Sequence, residues 1–261
     1  MERDLTMHTG AVAAAYLALV KRFTVGSDSA YLMVPKYQQT LTRHLVLHTH
    51  AMGEPSVDFC ATDPRQRPVT SALLAAGYVV AASTAAGDNW GNQAALDAYA
   101  ALHAAIGDLG YTLDKTVLLG VSMGGIPALL SYAGGVIPRV AGFIGICPAA
   151  SLAAAWSNGA LTTAIRTAYG IAGDGSDYAS KTAGHDPMLF AVPTWNDKRL
   201  LMFASNEDTT TLKASHADAL AARATGATVA EVVTCSGAHG DADQYRAAAV
   251  LAAVDAWTAV A

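Results

Sequence analysis

The sequence predicts an α/β fold in which a mostly parallel central sheet carries helices on both faces. Short apolar segments of the buried-strand type alternate with helix-permissive segments, which is the pattern of parallel sheets. The chain has 261 residues, 52% of them hydrophobic, which is enough for one large domain with a well-buried core. Sheets of this kind bind ligands beyond the carboxyl ends of their strands, so we expect functional residues there.

The same pattern predicts the individual elements. Apolar runs too short for helices predict strands, and glycine or proline marks where several elements stop. The predicted strands cover residues 31–35, 45–47, 78–82, 116–119, 141–146, 199–204 and 227–234. Alanine and leucine favour helices, which we predict at residues 11–20, 68–76, 94–109 and 126–133.

Residues 149–190 interrupt this alternation. They contain Trp156, Tyr169, Tyr178 and several glycines and serines. We interpret them as a partly helical lid inserted into a single domain that spans residues 1–261; a plain long connection is the alternative.

Composition argues against several classes of function. The formal net charge is −5 and no run of five or six basic residues occurs, so nothing indicates nucleic acid as a partner. Cys60, Cys147 and Cys235 form no C-x-x-C motif, which favours reduced thiols, with one disulfide as the alternative.

The apolar segment 11–20 lacks the flanks of a signal peptide and is too short for a membrane span, so we expect a cytoplasmic protein. The lightly charged surface permits a homo-oligomer.

Residues 120–125 read Gly-Val-Ser-Met-Gly-Gly, directly after an apolar run. A strand that breaks into G-x-S-x-G and continues as a helix is the context of a nucleophile elbow, in which the central serine is strained and exposed. Ser122 is therefore the candidate nucleophile, and Gly120 and Gly124 let the strand and the helix approach each other. An ordinary glycine-rich turn with a solvated serine is the alternative.

A serine nucleophile needs a general base, and histidine titrates nearest to neutrality. Among eight histidines, His239 follows the strand predicted at 227–234, in the flexible segment Ser-Gly-Ala-His-Gly. This places it at a carboxyl strand end, where a base is required. His103 and His216 lie in helical segments and are interpreted as packing or surface residues, and His8 precedes the domain.

The third group should be a carboxylate that orients the imidazole. Asp208 follows the strand predicted at 199–204 and lies at its carboxyl end. Glu207 and Asp186 are the alternatives; the first is also explained as a solvated side chain and the second as a loop cap before proline.

Serine, acid and histidine thus stand in the order of the α/β-hydrolases. The segments that carry this resemblance are Leu118–Gly125, Ser205–Asp208 and Gly237–Gly240. Over about residues 30–255 the chain resembles serine esterases and the catalytic domains of prolyl-oligopeptidase-like enzymes. The resemblance implies the α/β-hydrolase fold, a Ser-His-Asp triad and an acyl-enzyme, with neither a metal nor an organic cofactor.

The resemblance also implies an oxyanion hole made of two backbone amides. The first amide belongs to Met123, directly after the nucleophile. The family's His-Gly segment aligns with His50-Ala51, which makes Met52 the second donor and leaves Ala51 as the alternative, because the alanine departs from the family pattern. His48 and His50 form an H-x-H pair that can chelate a metal, but no third ligand is evident, so no metal is expected.

Candidate substrate-binding residues are His50, Trp90 and Trp156, with Trp195 as a further candidate beside the lid. For His50, structural support of the oxyanion loop is the alternative. For Trp90, hydrophobic packing beneath the loop that carries it is an alternative of equal weight to substrate binding.

The sequence therefore predicts a serine hydrolase that cleaves small carboxylic esters. A peptidase or amidase and a lipase are alternatives that use the same triad. A non-catalytic binding protein with the hydrolase fold is the alternative from a different class. A dehalogenase would need aspartate, and a dienelactone hydrolase cysteine, where this chain has Ser122.

Overall fold

The computed structural model describes residues 18–36, 44–54, 59–111 and 113–259. These residues form one sheet, whose strands are β1 (Ala18–Val25), β2 (Asp28–Pro35), β3 (His44–Thr49), β4 (Val79–Ser83), β5 (Lys115–Val121), β6 (Val140–Ile146), β7 (Arg199–Ser205) and β8 (Val229–Cys235). Their order across the sheet is β1-β2-β4-β3-β5-β6-β7-β8. The pairs β1–β2 and β2–β4 are antiparallel, and all other neighbouring pairs are parallel.

The helices of the described residues surround this sheet. They are α1 (Phe59–Thr62), α2 (Arg67–Ala75), α3 (Gln93–Asp108), α4 (Gly125–Ala133), α5 (Leu152–Ser157), α6 (Gly159–Tyr169), α7 (Tyr178–Lys181), α8 (Ala217–Arg223) and α9 (Ala247–Thr258). None of them combines the length and the apolar character needed to span a membrane.

Alternating side chains of the central strands enter two separate apolar layers. Leu45, Leu47 and Leu118 belong to the layer that includes residues of α3, α4 and α8. Val46 and Val117 belong to the opposite layer, with residues of α2 and α9. Because both faces are covered, these strands read as continuous apolar runs in the sequence. The predicted fold class is confirmed.

The seven predicted strands are all present, with ends shifted by a few residues. The N-terminal helix predicted at 11–20 is wrong for residues 18–20, which begin β1; residues 11–17 and His8 lie outside the described residues. Ala18 and Val20 are buried whereas Leu19 between them is 39% exposed, the alternation of a strand with one covered face. A tight turn at Gly26 (φ 61°) connects β1 to β2, and this pairing prevails over the helix preference of the alanine-rich run.

The segment between β6 and β7 contains α5, α6 and α7, so its predicted partly helical character is confirmed. Leu152 of α5 and Leu161 of α6 pack with Trp90, Met123 and Ile126 in a third apolar cluster. The inserted helices therefore lie close to the carboxyl end of β5. Their action as a lid stays a prediction.

We expect Gly142→Ala to destabilise the fold. A Cβ on Gly142 of β6 would overlap the indole of Trp257 in α9, and moving a packed helix costs about 1–3 kcal/mol. Gly107→Ala in α3 is the matched control, because its Cβ would meet open space and alanine favours a helix over glycine by about 1 kcal/mol. Thermal unfolding should show a lower midpoint for Gly142→Ala alone. Equal midpoints for the two variants would contradict this packing.

Candidate active site

β5 passes into α4 through a short 3-10 turn, Ser122–Gly124, as the glycine motif predicts. Ser122 has φ 50°, in the left-handed region that residues with a Cβ rarely adopt. The N–H of Ala149 donates to the carbonyl of Ser122 at 2.9 Å and ties the turn to the chain after β6. The serine lies at the carboxyl end of β5, where it lines a cavity, and at 8% exposure it is less open than the elbow motif predicts.

Glycine is required at the last residue of this turn and at the first residue of α4, because both lie in close contact with other backbone segments. A Cβ on Gly124 would overlap the carbonyls of Thr49 and His50, and one on Gly125 would overlap the carbonyl of Ala149. In addition, Thr49 Oγ1 donates to the carbonyl of Gly124 at 2.7 Å. The elbow is thus enclosed by the chain that follows β3 and β6.

The structure brings Ser122, His239 and Asp208 into one hydrogen-bonded series. Ser122 Oγ lies 2.8 Å from His239 Nε2, and His239 Nδ1 lies 2.7 Å from Asp208 Oδ2. The carboxylate can only accept, so Nδ1 carries the proton and Nε2 is free to accept from the serine hydroxyl. The side chain of His239 is 23% exposed and that of Asp208 is 1% exposed. A small ligand can therefore reach the imidazole but not the carboxylate.

The turn after β7 fixes the carboxylate of Asp208. The N–H groups of Thr210 and Thr211 donate to Oδ1 at 2.8 and 2.9 Å, and the Thr211 hydroxyl donates to Oδ2 at 2.8 Å. Burial of Asp208 opposes the ionisation of its carboxyl group. Its pKa nevertheless lies below the usual value, because His239 and Thr211 donate hydrogen bonds to it and the charge of the imidazole favours the carboxylate. Asp208 is therefore an oriented, ionised partner for His239.

Gln244 fixes the loop that carries His239 by bonding to both of its neighbours. The N–H of Gly240 donates to Gln244 Oε1 at 2.9 Å, and Gln244 Nε2 donates to the carbonyl of Ala238 at 3.2 Å. Gln244 is fully buried. Arg65 Nη1 also donates to the carbonyl of Gly240, at 3.2 Å.

Sequence reasoning missed Thr211, Gln244 and Arg65. Thr211 follows Asp208 by three residues, and an aspartate that caps a turn of threonines is a local signal that points to it. Gln244 and Arg65 carry no such signal; Arg65 meets Gly240 only because the fold joins segments 175 residues apart.

The loop after β3 is fastened beside the elbow. The ring nitrogens of His50 lie 2.9 Å from the carbonyl oxygen of Ala51 and 3.0 Å from that of Thr84, and the N–H of Gly53 donates to Asp88 Oδ1 at 2.7 Å. His50 therefore bonds to backbone, and it is not among the described residues that line the cavity beside Ser122. These contacts fit the alternative in which His50 supports this loop, and its contact with substrate stays a prediction.

The two proposed oxyanion donors belong to residues near the nucleophile. Met123 directly follows Ser122 in the 3-10 turn, and its side chain is fully buried. Met52 and its alternative Ala51 both line the cavity beside Ser122, and Met52 is 38% exposed. The roles of these amides stay predictions.

A cavity of about 290 Å³ lies beside Ser122 and His239. This volume is suited to a small organic molecule. Its described lining includes the apolar side chains of Met52, Phe59, Trp90 and Leu161 and the polar side chains of Glu54, Arg65, Gln66 and Tyr245.

The candidate tryptophans occupy three different environments. Trp90 lines the cavity, although it is only 1% exposed. Trp156 is not among the described lining residues; its ring stacks on Tyr178 at 4.6 Å between centroids, which places it within the inserted helices. Trp195 is fully buried in the main core, edge-on to Phe190. Trp156 packs inside the insertion, and substrate contact stays a prediction for both Trp90 and Trp156.

The alternative acid and base candidates lie outside the hydrogen-bonded series. Glu207 is exposed. His103 Nε2 lies 3.1 Å from Thr116 Oγ1 and connects α3 to β5. Asp186 is buried and accepts from the N–H of Met188 at 3.0 Å, as expected for a loop cap.

A second cluster of a serine, an aspartate and a histidine surrounds Ser151, which lies between β6 and α5. Ser151 Oγ is 3.4 Å from Asp186 Oδ2, but His216 Nδ1 accepts from the N–H groups of Ala150 and Ser151 at 3.1 and 3.2 Å. The imidazole therefore faces backbone amides and not the serine hydroxyl. Ser151 Oγ instead accepts from the N–H of Ala154 and caps α5. This arrangement holds the chain in place and provides no base for Ser151.

Among the described residues, no three His, Cys, Asp or Glu side chains gather in a way that could hold a metal ion. Burial lowers the pKa of His48 to about 3, so its imidazole is neutral within the core. Cys60, Cys147 and Cys235 are buried, and no disulfide bond joins them within the described residues.

We expect His216 to make stability depend on pH. Burial lowers its pKa to about 4, whereas the unfolded imidazole titrates near 6.5. The unfolded state therefore binds more protons between these values, so stability is present above about pH 6.5 and is lost as the pH falls toward 4.

The variant His216→Asn keeps an oxygen that can accept from the backbone amides but does not titrate. From pH 7 to pH 5 it should lose about 2 kcal/mol less unfolding free energy than the wild type. Urea unfolding at both pH values measures the difference. Equal losses in the two proteins would contradict the buried, neutral imidazole.

No protein-family model matches the chain, and no curated protein matches it. Several solved structures are similar in fold. The S-formylglutathione hydrolase from Agrobacterium tumefaciens has a TM-score of 0.67 and 12% identity, covering 99% of each chain. The Pyrococcus furiosus esterase Pf2001 has a TM-score of 0.63 and 14% identity, covering 98% of each chain. Est1E from Butyrivibrio proteoclasticus has a TM-score of 0.60 and 15% identity, covering 91% of this chain and 98% of that one. Together with the strand order, these similarities show that the chain has the α/β-hydrolase fold.

Proposed function

We propose that this protein of α/β-hydrolase fold is a serine hydrolase that cleaves small carboxylic esters through an acyl-enzyme. The observation that carries the proposal is the series from Ser122 Oγ through His239 to Asp208, with contacts of 2.8 and 2.7 Å. Acyl transfer by a serine requires a nucleophile, a general base and a carboxylate that orients the base. The fold shared with proteins described as esterases supports the proposal by analogy.

In the first half-reaction, Ser122 Oγ attacks the ester carbonyl while His239 Nε2 takes the hydroxyl proton. Asp208 stabilises the resulting imidazolium, and the amides of Met123 and Met52 stabilise the oxyanion. The imidazolium then protonates the leaving alcohol as the tetrahedral intermediate collapses to the acyl-enzyme.

In the second half-reaction, His239 takes a proton from water, which attacks the acyl carbonyl. The imidazolium returns this proton to Ser122 Oγ as the carboxylic acid leaves. These steps consume one water for each ester and need neither a metal nor an organic cofactor. The cavity of about 290 Å³ favours small esters over large peptides.

We expect Ser122→Ala to lower the hydrolysis of 4-nitrophenyl acetate by about 10⁴-fold or more, because the nucleophile is removed. Ser151→Ala is the matched control, since Ser151 belongs to the second cluster and its hydroxyl has no histidine base. Steady-state kinetics on both variants tests the proposal. Near-normal turnover by folded Ser122→Ala would refute it.

We also expect Thr211→Val to lower kcat/KM about 10- to 100-fold, because the variant loses a hydrogen bond to an ionised carboxylate. Valine keeps the shape of threonine, so the loss reports the hydroxyl. Thr211→Ser restores that hydroxyl and should recover most of the activity. If the valine and serine variants are equally active, Thr211 does not act on Asp208.

A further inference from the structure

Arg65 is a charged residue of the cavity that the proposed steps do not use. Its Nε and Nη2 donate to the two carboxylate oxygens of Asp63 at 3.1 and 2.9 Å, and Nη1 donates to the carbonyl of Gly240 at 3.2 Å. The side chain of Asp63 is 8% exposed, whereas that of Arg65 is 44% exposed. A buried carboxylate thus fixes the orientation of a guanidinium that remains partly open.

These three bonds leave two of the five guanidinium N–H groups, one on each terminal nitrogen, to serve a ligand. The two terminal nitrogens of arginine match the two oxygens of a carboxylate. Because Asp63 already fixes the guanidinium plane, little further side-chain order is lost when a ligand binds. Arg65 is therefore preorganised for an acceptor that enters the cavity.

Tyr245 and Glu54 add hydrogen-bonding groups to the same cavity. A Cβ on Gly240 would lie 3.4 Å from Arg65 Nη1 and 3.9 Å from Tyr245 Oη, so these two donors lie near each other and next to the residue that follows His239. Burial raises the pKa of Tyr245, and its hydroxyl stays protonated and able to donate.

Glu54 does not oppose an anionic ligand as an ordinary glutamate would. Burial raises the pKa of Glu54 to about 7, against the hydrogen bond from Gln66. A large part of the population is therefore neutral near pH 7, and the neutral carboxyl can itself donate. Asp63 is not among the described lining residues, and its carboxylate is engaged by Arg65.

We infer that Arg65 and Tyr245 form a subsite for a carboxylate, and that the natural substrate is a small ester that also carries a free carboxylate. The inference rests on the proposed hydrolase function and names its substrate class. Arg65 acts in specificity; the bonds that break and form remain those at Ser122.

Two substrate pairs test this inference, each comparing a carboxylate with its carboxamide of the same shape. In the first pair, monomethyl glutarate and its analogue in which the free carboxylate is a carboxamide, the carboxylate or carboxamide lies on the acyl half of the ester. In the second pair, 4-acetoxybutanoate and 4-acetoxybutanamide, it lies on the alcohol half. In at least one pair, the wild type should prefer the carboxylate by about 10- to 100-fold in kcat/KM, measured by pH-stat titration. Arg65→Met should abolish this preference while the amide is still hydrolysed. Arg67→Met, an exposed arginine at the start of α2, is the matched control and should retain it.

The absence of a carboxylate preference in both pairs, with equal rates or faster carboxamide hydrolysis, would overturn the carboxylate subsite. An equal fall for both members of a pair in Arg65→Met would overturn it as well, because Arg65 would then act only through Gly240 and His239. If the wild type hydrolyses none of the four esters and does not react with a fluorophosphonate, the hydrolase proposal fails and this inference fails with it.

Discussion

The close approach of three backbone segments at the carboxyl end of β5 is the constraint on which the rest of the site depends. Gly124 and Gly125 leave no room for a Cβ against the chain that follows β3 and β6. Ser122, at the start of the same turn, has a strained backbone with φ 50°. Such strain persists only where the surroundings over-determine the conformation. Here the parallel core supplies that rigidity, since β5 is flanked by β3 and β6 and covered on both faces.

The partners of Ser122 reach it from other strand ends, each fixed by its own turn. Thr211 and two backbone amides orient Asp208 after β7, and Gln244 bonds on both sides of His239 after β8. The rigid sheet thus supplies the spacing, and the loops supply the orientation. This division explains why short loops, and not the core, carry the chemistry that we propose.

Local signals made part of this arrangement predictable from the sequence. The strand before Gly120 and the glycines around Ser122 encode the elbow, and chain order at strand ends points to His239 and Asp208. Other features depend on distant contacts. The segment 18–25 became a strand because β2 pairs with it, and Trp156 packs on Tyr178 inside the insertion. The cavity position of Arg65 likewise follows from the fold alone.

In the function that we propose, the fold makes Ser122 an activated nucleophile. Reaction of the folded protein with a fluorophosphonate, followed by peptide mapping with mass spectrometry, tests it most directly, because the reagent attaches only to a serine with a working base. We expect a single phosphonyl adduct, on Ser122, that is absent when His239 is replaced by alanine. No adduct on the folded protein, or an adduct on Ser151, would contradict it.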